Sequence, residues 1–195
     1  MDKRNKAIGR RSLPFELREI NEEKRTVTLS FSSEEPYTRF GETEILDHSD
    51  GAVDLTRLNE IGCVLFNHNR DIVLGKVLKA WIEDNRGVAE IRFDEDEKSN
   101  EIYEKVKNKT LQGTSVGYRI KSIENVAANS VSADKRFAGP CYIARQWEPF
   151  EISIVSVPAD PTVGVSRDFE VAFDAGFSKE LAEAQIKINK NKCSL

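Results

Sequence analysis

The chain has 195 residues, with 29 basic and 33 acidic side chains and a formal net charge of −4. This length suits one domain with a single core, and the charge gives no general attraction to phosphate backbones, so nucleic-acid binding is not indicated. The three cysteines are scattered (Cys63, Cys141, Cys193), which favours reduced thiols and indicates no disulfide or metal site, and no cofactor is expected. The sequence also lacks an apolar signal region and a long apolar run, which favours a soluble, unsecreted protein.

The first half of the chain predicts a basic arm followed by two β-hairpins. Residues 1–11 carry five basic side chains and little apolar content, which is typical of a flexible arm. Alternating segments at 13–20 and 26–31 surround the polar turn NEEKR, and segments at 72–83 and 87–93 surround the turn DNRG. Between the hairpins we expect a short strand at 43–48, a short helix within 49–60 and a buried strand at 63–67.

The second half predicts a helix followed by strands. Residues 95–109 have acids at the start and lysines at the end, with Asp94 and Glu97 spaced as a variant capping box. A strand at 113–124, a surface loop and two strands separated near Pro149 follow. After Arg167 the composition changes, and residues 168–195 predict a helical appendage whose apolar stripe is Phe169, Phe173 and Phe177.

The segment GTSVG around Ser115 matches the G-x-S-x-G pattern of the α/β-hydrolase nucleophile elbow. That elbow leaves a strand and enters a helix, whereas here a predicted helix precedes the serine and a strand follows it. The hydrolase histidine also follows its serine, but both histidines, His48 and His68, come first. An α/β-hydrolase esterase is therefore disfavoured, and serine chemistry in this chain requires the order histidine, then serine.

Three segments in order resemble the prohead protease family of tailed bacteriophages: VLFNHN at 64–69, LQGTSVGY at 111–118 and FEISIVSVPADP at 150–161. The resemblance covers roughly residues 42–167. It implies a fold similar to the herpesvirus capsid-maturation proteases, an α+β fold with a mainly antiparallel β-barrel flanked by helices. We expect a protease domain at 12–167 on this basis.

The resemblance implies that Ser115 is the nucleophile and His68 its general base, since an imidazole must accept the hydroxyl proton. Glu151 is our choice for the third member, which would orient the imidazole. His48 competes for that role because the herpesvirus relatives use a second histidine there, and Asp71 and Asp84 also remain open.

Each of these residues also has a structural interpretation. Ser115 can be a small residue in a tight turn, and Glu151 can face outward from a strand. The acids around His48 are more typical of a turn than of a metal site, and Cys63 is more typical of a packed thiol than of a nucleophile.

The resemblance implies an endopeptidase that enters the prohead in the host cytoplasm and cleaves the scaffold or extensions of the major capsid protein. The portal is a further candidate partner, a membrane partner is not expected, and the oligomeric state stays open. The alternative is a catalytically inactive capsid-assembly or scaffold-like binding protein on the same fold.

Overall fold

The computed structural model describes residues 8–14, 17–39 and 41–157, and strands predominate among them. The helices described are α1 (Thr56–Ile61) and α2 (Glu97–Lys107). The strands are β1 (Ile8–Pro14), β2 (Leu17–Asn21), β3 (Thr26–Ser33), β4 (Tyr37–Arg39), β5 (Glu42–Leu46), β6 (Cys63–Phe66), β7 (Asn69–Glu83), β8 (Arg86–Phe93), β9 (Gly113–Val126) and β10 (Cys141–Val155).

These strands form one sheet in the order β1-β9-β10-β6-β7-β8-β3-β2, with β5 pairing with β10 and β4 with β5. Neighbours are antiparallel except that β10 runs parallel to β5 and β6. The sheet curls so that β3 lies against β9, where Thr114 Oγ1 donates to the carbonyl of Ser30 at 3.0 Å. The described part is therefore a curled half-barrel, which confirms the prediction of a β-rich, mainly antiparallel fold with helices.

The core lies inside this curl. Alternating apolar residues of the two predicted hairpins, now β2–β3 and β7–β8, point inward, and Trp147 of β10 is fully buried among them. Helix α2 covers the core through the apolar residues Ile102 and Val106. Burial of this surface is the main stabilising term of such a fold.

The N-terminal cap of α2 differs from the prediction. Asp96, with an extended backbone, accepts hydrogen bonds from the amides of Lys98 and Ser99 at 3.0 Å each. The helix begins at Glu97, and an N-cap side chain reaches only the second and third helical amides. Asp94 lies too far back to cap the helix.

Two other segments differ from the prediction. Residues 141–155 form one strand, β10, because bulges at Ala144–Gln146, Gln146–Trp147 and Pro149–Glu151 absorb the irregularity that the sequence suggests as a break. Residues 8–11, assigned to the arm, belong to β1 and pair with β9. Their arginines hide the strand signal, yet the side chain of Arg11 is buried.

The rest of the predicted arm, residues 1–7, and the predicted appendage at 168–195 lie outside the described residues. In the part of the chain that the structure describes, neither helix has the length and apolar character needed to cross a membrane.

Candidate active site

His68 lies in the tight turn between β6 and β7. Asn67 and His68 both have a left-handed backbone, with φ of 51° and 60°, and the flanking residues Phe66 and Asn69 pair with each other. This is the pattern of a type I′ turn, for which asparagine and histidine are among the more tolerant non-glycine residues. Strand β10 holds the turn, because the Asn67 amide donates to the Ile154 carbonyl at 2.9 Å and Asn67 Oδ1 accepts from the Ser156 amide at 2.9 Å.

Ser115 lies on β9 between two other strands. It is opposite Ser153 of β10 on one side and opposite Ser12 of β1 on the other. Its side chain is fully buried, and its hydroxyl also contacts the carbonyl oxygen of Arg11 on β1 at 3.0 Å. The nucleophile candidate therefore lies beneath the first described strand.

Glu151 lies on β10 directly after the bulge, opposite Gly117 of β9. It is 4% exposed, so the outward-facing interpretation is wrong. A Cβ atom at Gly117 would lie 2.6 Å from both Cγ and Oε1 of Glu151. The second glycine of the GTSVG motif therefore leaves room for this carboxylate beside the serine strand.

These elements bring three side chains into a continuous hydrogen-bonded chain. His68 Nε2 is 2.7 Å from Ser115 Oγ, and His68 Nδ1 is 2.6 Å from Glu151 Oε1. Ser153 Oγ accepts from the His68 amide at 3.2 Å and lies 3.4 Å from Nδ1. A hydroxyl, an imidazole and a carboxylate in this order form the arrangement that can activate a serine as a nucleophile.

Ser153 was missed at the level of sequence. It shares a strand face with Glu151, because alternate residues of a strand point the same way, and it contacts the same histidine. The spacing in the segment EIS could have identified it once Glu151 was chosen.

The other candidates for the residue that orients His68 do not hydrogen-bond to its ring. Both ring nitrogens of His48 have partners, with Nε2 2.7 Å from Ser32 Oγ and Nδ1 2.9 Å from the Leu46 carbonyl oxygen. Burial lowers the pKa of His48 to about 4, so the ring is neutral near pH 7. Asp71 and Asp84 are exposed, the latter in the turn between β7 and β8. The structure groups Glu151, and not these residues, with His68.

The structural interpretations of the remaining candidates agree with their surroundings. Burial, and secondarily the charge of Glu151, raises the pKa of the Cys63 thiol, which disfavours the reactive thiolate. Asp47 is paired with Arg136 at 3.0 Å and with Arg145 at 2.6 Å, so its charge is already neutralised. Within residues 8–14, 17–39 and 41–157, no group of three or more metal-binding side chains is present.

Comparison with known proteins gives one family and one relative. The sequence model of the family described as caudovirus prohead serine protease matches residues 33–173. The major capsid protein of Halomonas phage phiHAP-1 is 36% identical over 143 residues. That match covers 71% of this chain but 23% of the relative, so the chain spans less than a quarter of the relative's length. No solved structure matches the chain significantly.

Proposed function

Since the chain belongs to the caudovirus prohead serine protease family, we propose that it is a serine endopeptidase with Ser115 as nucleophile, His68 as general base and Glu151 as the residue that orients His68. The observation that carries the proposal is the chain of 2.7 Å and 2.6 Å contacts through the two ring nitrogens of one histidine. Each contact is within the distance that proton transfer or tautomer selection requires.

The chemistry follows from these contacts. The Glu151 carboxylate accepts a hydrogen bond from the N–H group at His68 Nδ1, which leaves Nε2 unprotonated and able to accept the hydroxyl proton of Ser115. Ser115 Oγ then bonds to the peptide carbonyl carbon, and the same proton passes from His68 to the leaving amine as the C–N bond breaks. Water, deprotonated by His68, releases the acyl group and restores the serine.

For the substrate we propose a capsid-shell component, either the scaffold or an extension of the major capsid protein, inside the assembling prohead in the host cytoplasm. The relative named as a major capsid protein supports a link to the shell, and its greater length agrees with a protease region and a capsid region in one polypeptide. We also propose that the curled sheet is related to the β-barrel of the herpesvirus capsid-maturation proteases.

A second candidate function is a capsid-assembly protein that keeps the fold without catalysis. Two observations favour it: Ser115 has no exposed surface, and the relative is named as a capsid protein and not as a protease. A nucleophile must be reached by its substrate, so the two functions differ in whether Ser115 ever becomes accessible.

The test is co-expression of the chain with the capsid and scaffold proteins encoded beside it, with cleavage followed by mass spectrometry. We expect Ser115→Ala to abolish cleavage, and Ser122→Ala, a change in a half-buried serine of the same strand, to leave it intact. Cleavage at the wild-type rate by Ser115→Ala would rule out this nucleophile. Intact substrate with both the wild type and the variants would favour the assembly protein.

A further inference from the structure

Strand β1 covers the candidate active site. It pairs antiparallel with β9 from Gly113 to Arg119, which includes the whole GTSVG motif, and it ends the sheet order on this side. With β1 in place Ser115 is fully buried, so a substrate carbonyl has no path to its hydroxyl. The edge of β9 next to Ser115 is thus occupied by another segment of the same chain.

The contact between β1 and Ser115 is not that of a substrate about to be cleaved. The carbonyl oxygen of Arg11 accepts a hydrogen bond from Ser115 Oγ at 3.0 Å, so this oxygen points at the nucleophile. In acyl transfer the nucleophile approaches the carbonyl carbon while the oxygen points to separate donors. The Arg11 carbonyl instead competes with His68 for the one hydroxyl proton. Strand β1 therefore holds Ser115 in an unproductive hydrogen bond.

The side chain of Arg11 lies in a buried pocket beside an aromatic ring. It is 2% exposed, and its guanidinium lies 5.6 Å from the centre of the Tyr37 ring. Burial lowers the pKa of Arg11, and the negative charge of the buried Glu44 opposes that shift. Glu44 in turn accepts a hydrogen bond from Tyr118. A basic side chain on whichever strand lies on β9 therefore supplies an opposite charge for the buried carboxylate of Glu44, which reduces the cost of burying that carboxylate.

One feature weakens the hold of β1, and a second shows how a single substitution would loosen it further. Within the described residues, Nε and Nη1 of Arg11 are buried without a hydrogen-bond partner, and each such orphaned donor costs about 1–3 kcal/mol. Strand β1 also depends on one glycine, because a Cβ atom at Gly9 would lie 2.4 Å from the Tyr118 ring. That ring is buried and held by Glu44, so it has little freedom to move aside.

We propose that the substrate binds as an extended peptide that replaces β1 on the edge of β9, with a lysine or arginine side chain in the pocket now filled by Arg11. The inference rests on the proposed peptidase function and adds its substrate class. Backbone groups of β9 that now bond to β1 would bond to the substrate strand, as in other cases of strand addition. The chain is latent while β1 is bound, and a segment with a better-oriented carbonyl displaces it.

The first experiment uses the full chain with Gly9→Ala, in which the added Cβ overlaps the Tyr118 ring and loosens β1. The readout is the rate at which a fluorophosphonate probe acylates Ser115, with Ser115→Ala as the blank. We expect Gly9→Ala to react at least about tenfold faster than the wild type, because a covered serine reacts only in the fraction of molecules that have released β1. Hydrogen exchange of β7 and β8 amides checks that the core remains folded.

The second experiment adds the peptide IGRRSLP, the sequence of β1, to Gly9→Ala. We expect it to inhibit acylation. Replacement of the arginine equivalent to Arg11 by norleucine should weaken inhibition at least about tenfold, since the buried carboxylate of Glu44 then loses the opposite charge that acts on it. The matched control peptide carries norleucine at the position of Arg10, so it has the same net charge as the peptide with norleucine at the position of Arg11. Glu44→Gln should reduce the difference between the arginine and norleucine peptides.

The outcomes separate this inference from the proposed function. If a folded Gly9→Ala protein is never acylated at Ser115, the peptidase proposal itself fails. Measurable acylation of Ser115 at the same rate in the wild type and in Gly9→Ala would show that β1 is not a cover, while the peptidase proposal would stand. Equal inhibition by all peptides would refute the claim that the pocket filled by Arg11 selects a basic side chain. Spontaneous cleavage of the wild-type chain after Arg11 would show that β1 is a substrate and not a plug.

Discussion

The carboxylate of Glu151 should be required for catalysis but not for folding, and Glu151→Gln isolates its charge. Its side chain is 5% exposed and lies 2.6 Å from His68 Nδ1. A hydrogen bond to a charged group is worth roughly 1–1.5 kcal/mol more than a neutral one, which is about tenfold in rate. If the amide turns its NH₂ group toward Nδ1, His68 adopts the wrong tautomer, and the loss can reach about 10⁴-fold.

The assay is kcat/KM on a capsid-derived peptide, measured beside the thermal unfolding midpoint. We expect kcat to fall at least about tenfold and the midpoint to stay level or rise, because the amide removes the cost of burying a charge. The matched control is Glu148→Gln on the same strand, whose carboxylate pairs with Lys121 at 3.2 Å. Full activity of Glu151→Gln, or equal losses in both variants, would refute the role of Glu151.

Three further predictions concern a buried histidine, a helix cap and the turn that carries His68. Burial holds the pKa of His48 at about 4 in the folded chain, below the ordinary value of 6.5, so only the unfolded chain binds the extra proton as the pH falls from about 6.5 to 4. The free energy of unfolding of the wild type should therefore drop by roughly 3 kcal/mol over that pH range. Urea titrations at several pH values should show a smaller drop in His48→Asn. Asp96→Ala should lower the free energy of unfolding by about 1 kcal/mol without changing kcat, whereas Asp94→Ala should change neither. Asn67→Ala removes a residue that tolerates the left-handed turn and should lower kcat/KM more than Asn67→Gly, as measured by peptide cleavage, because the turn positions His68.

Both hairpins and the helix before Ser115 could be predicted from the sequence because their signals are local. The polar turns and the alternation of apolar residues mark the hairpins, and the charge gradient marks the helix. The bulge at Pro149–Glu151 could not be predicted, since a bulge depends on the register with a partner strand. For the same reason the sequence alone does not determine which face of the strand Glu151 occupies, whereas the pairing of Glu151 with Gly117 does.

The motif resemblance was enough to propose His68, Ser115 and Glu151 as site residues. It could not predict the contacts among them or that strand β1 covers the serine. The left-handed turn at His68 is only weakly indicated by the sequence, because Asn67 and His68 are the only local sign of it. The cover by β1 has no local signal, because the basic residues of 1–11 are typical of a solvated arm, whereas Arg11 is buried by a contact distant in sequence.

The most direct test of the central claim is peptide mapping of the fluorophosphonate adduct in the wild-type chain and in Gly9→Ala, each with and without His68→Ala. The proposed peptidase predicts a single adduct on Ser115 that is lost, or slowed by orders of magnitude, when His68 is replaced. An adduct on another residue, or labelling of Ser115 at the same rate without His68, would contradict it.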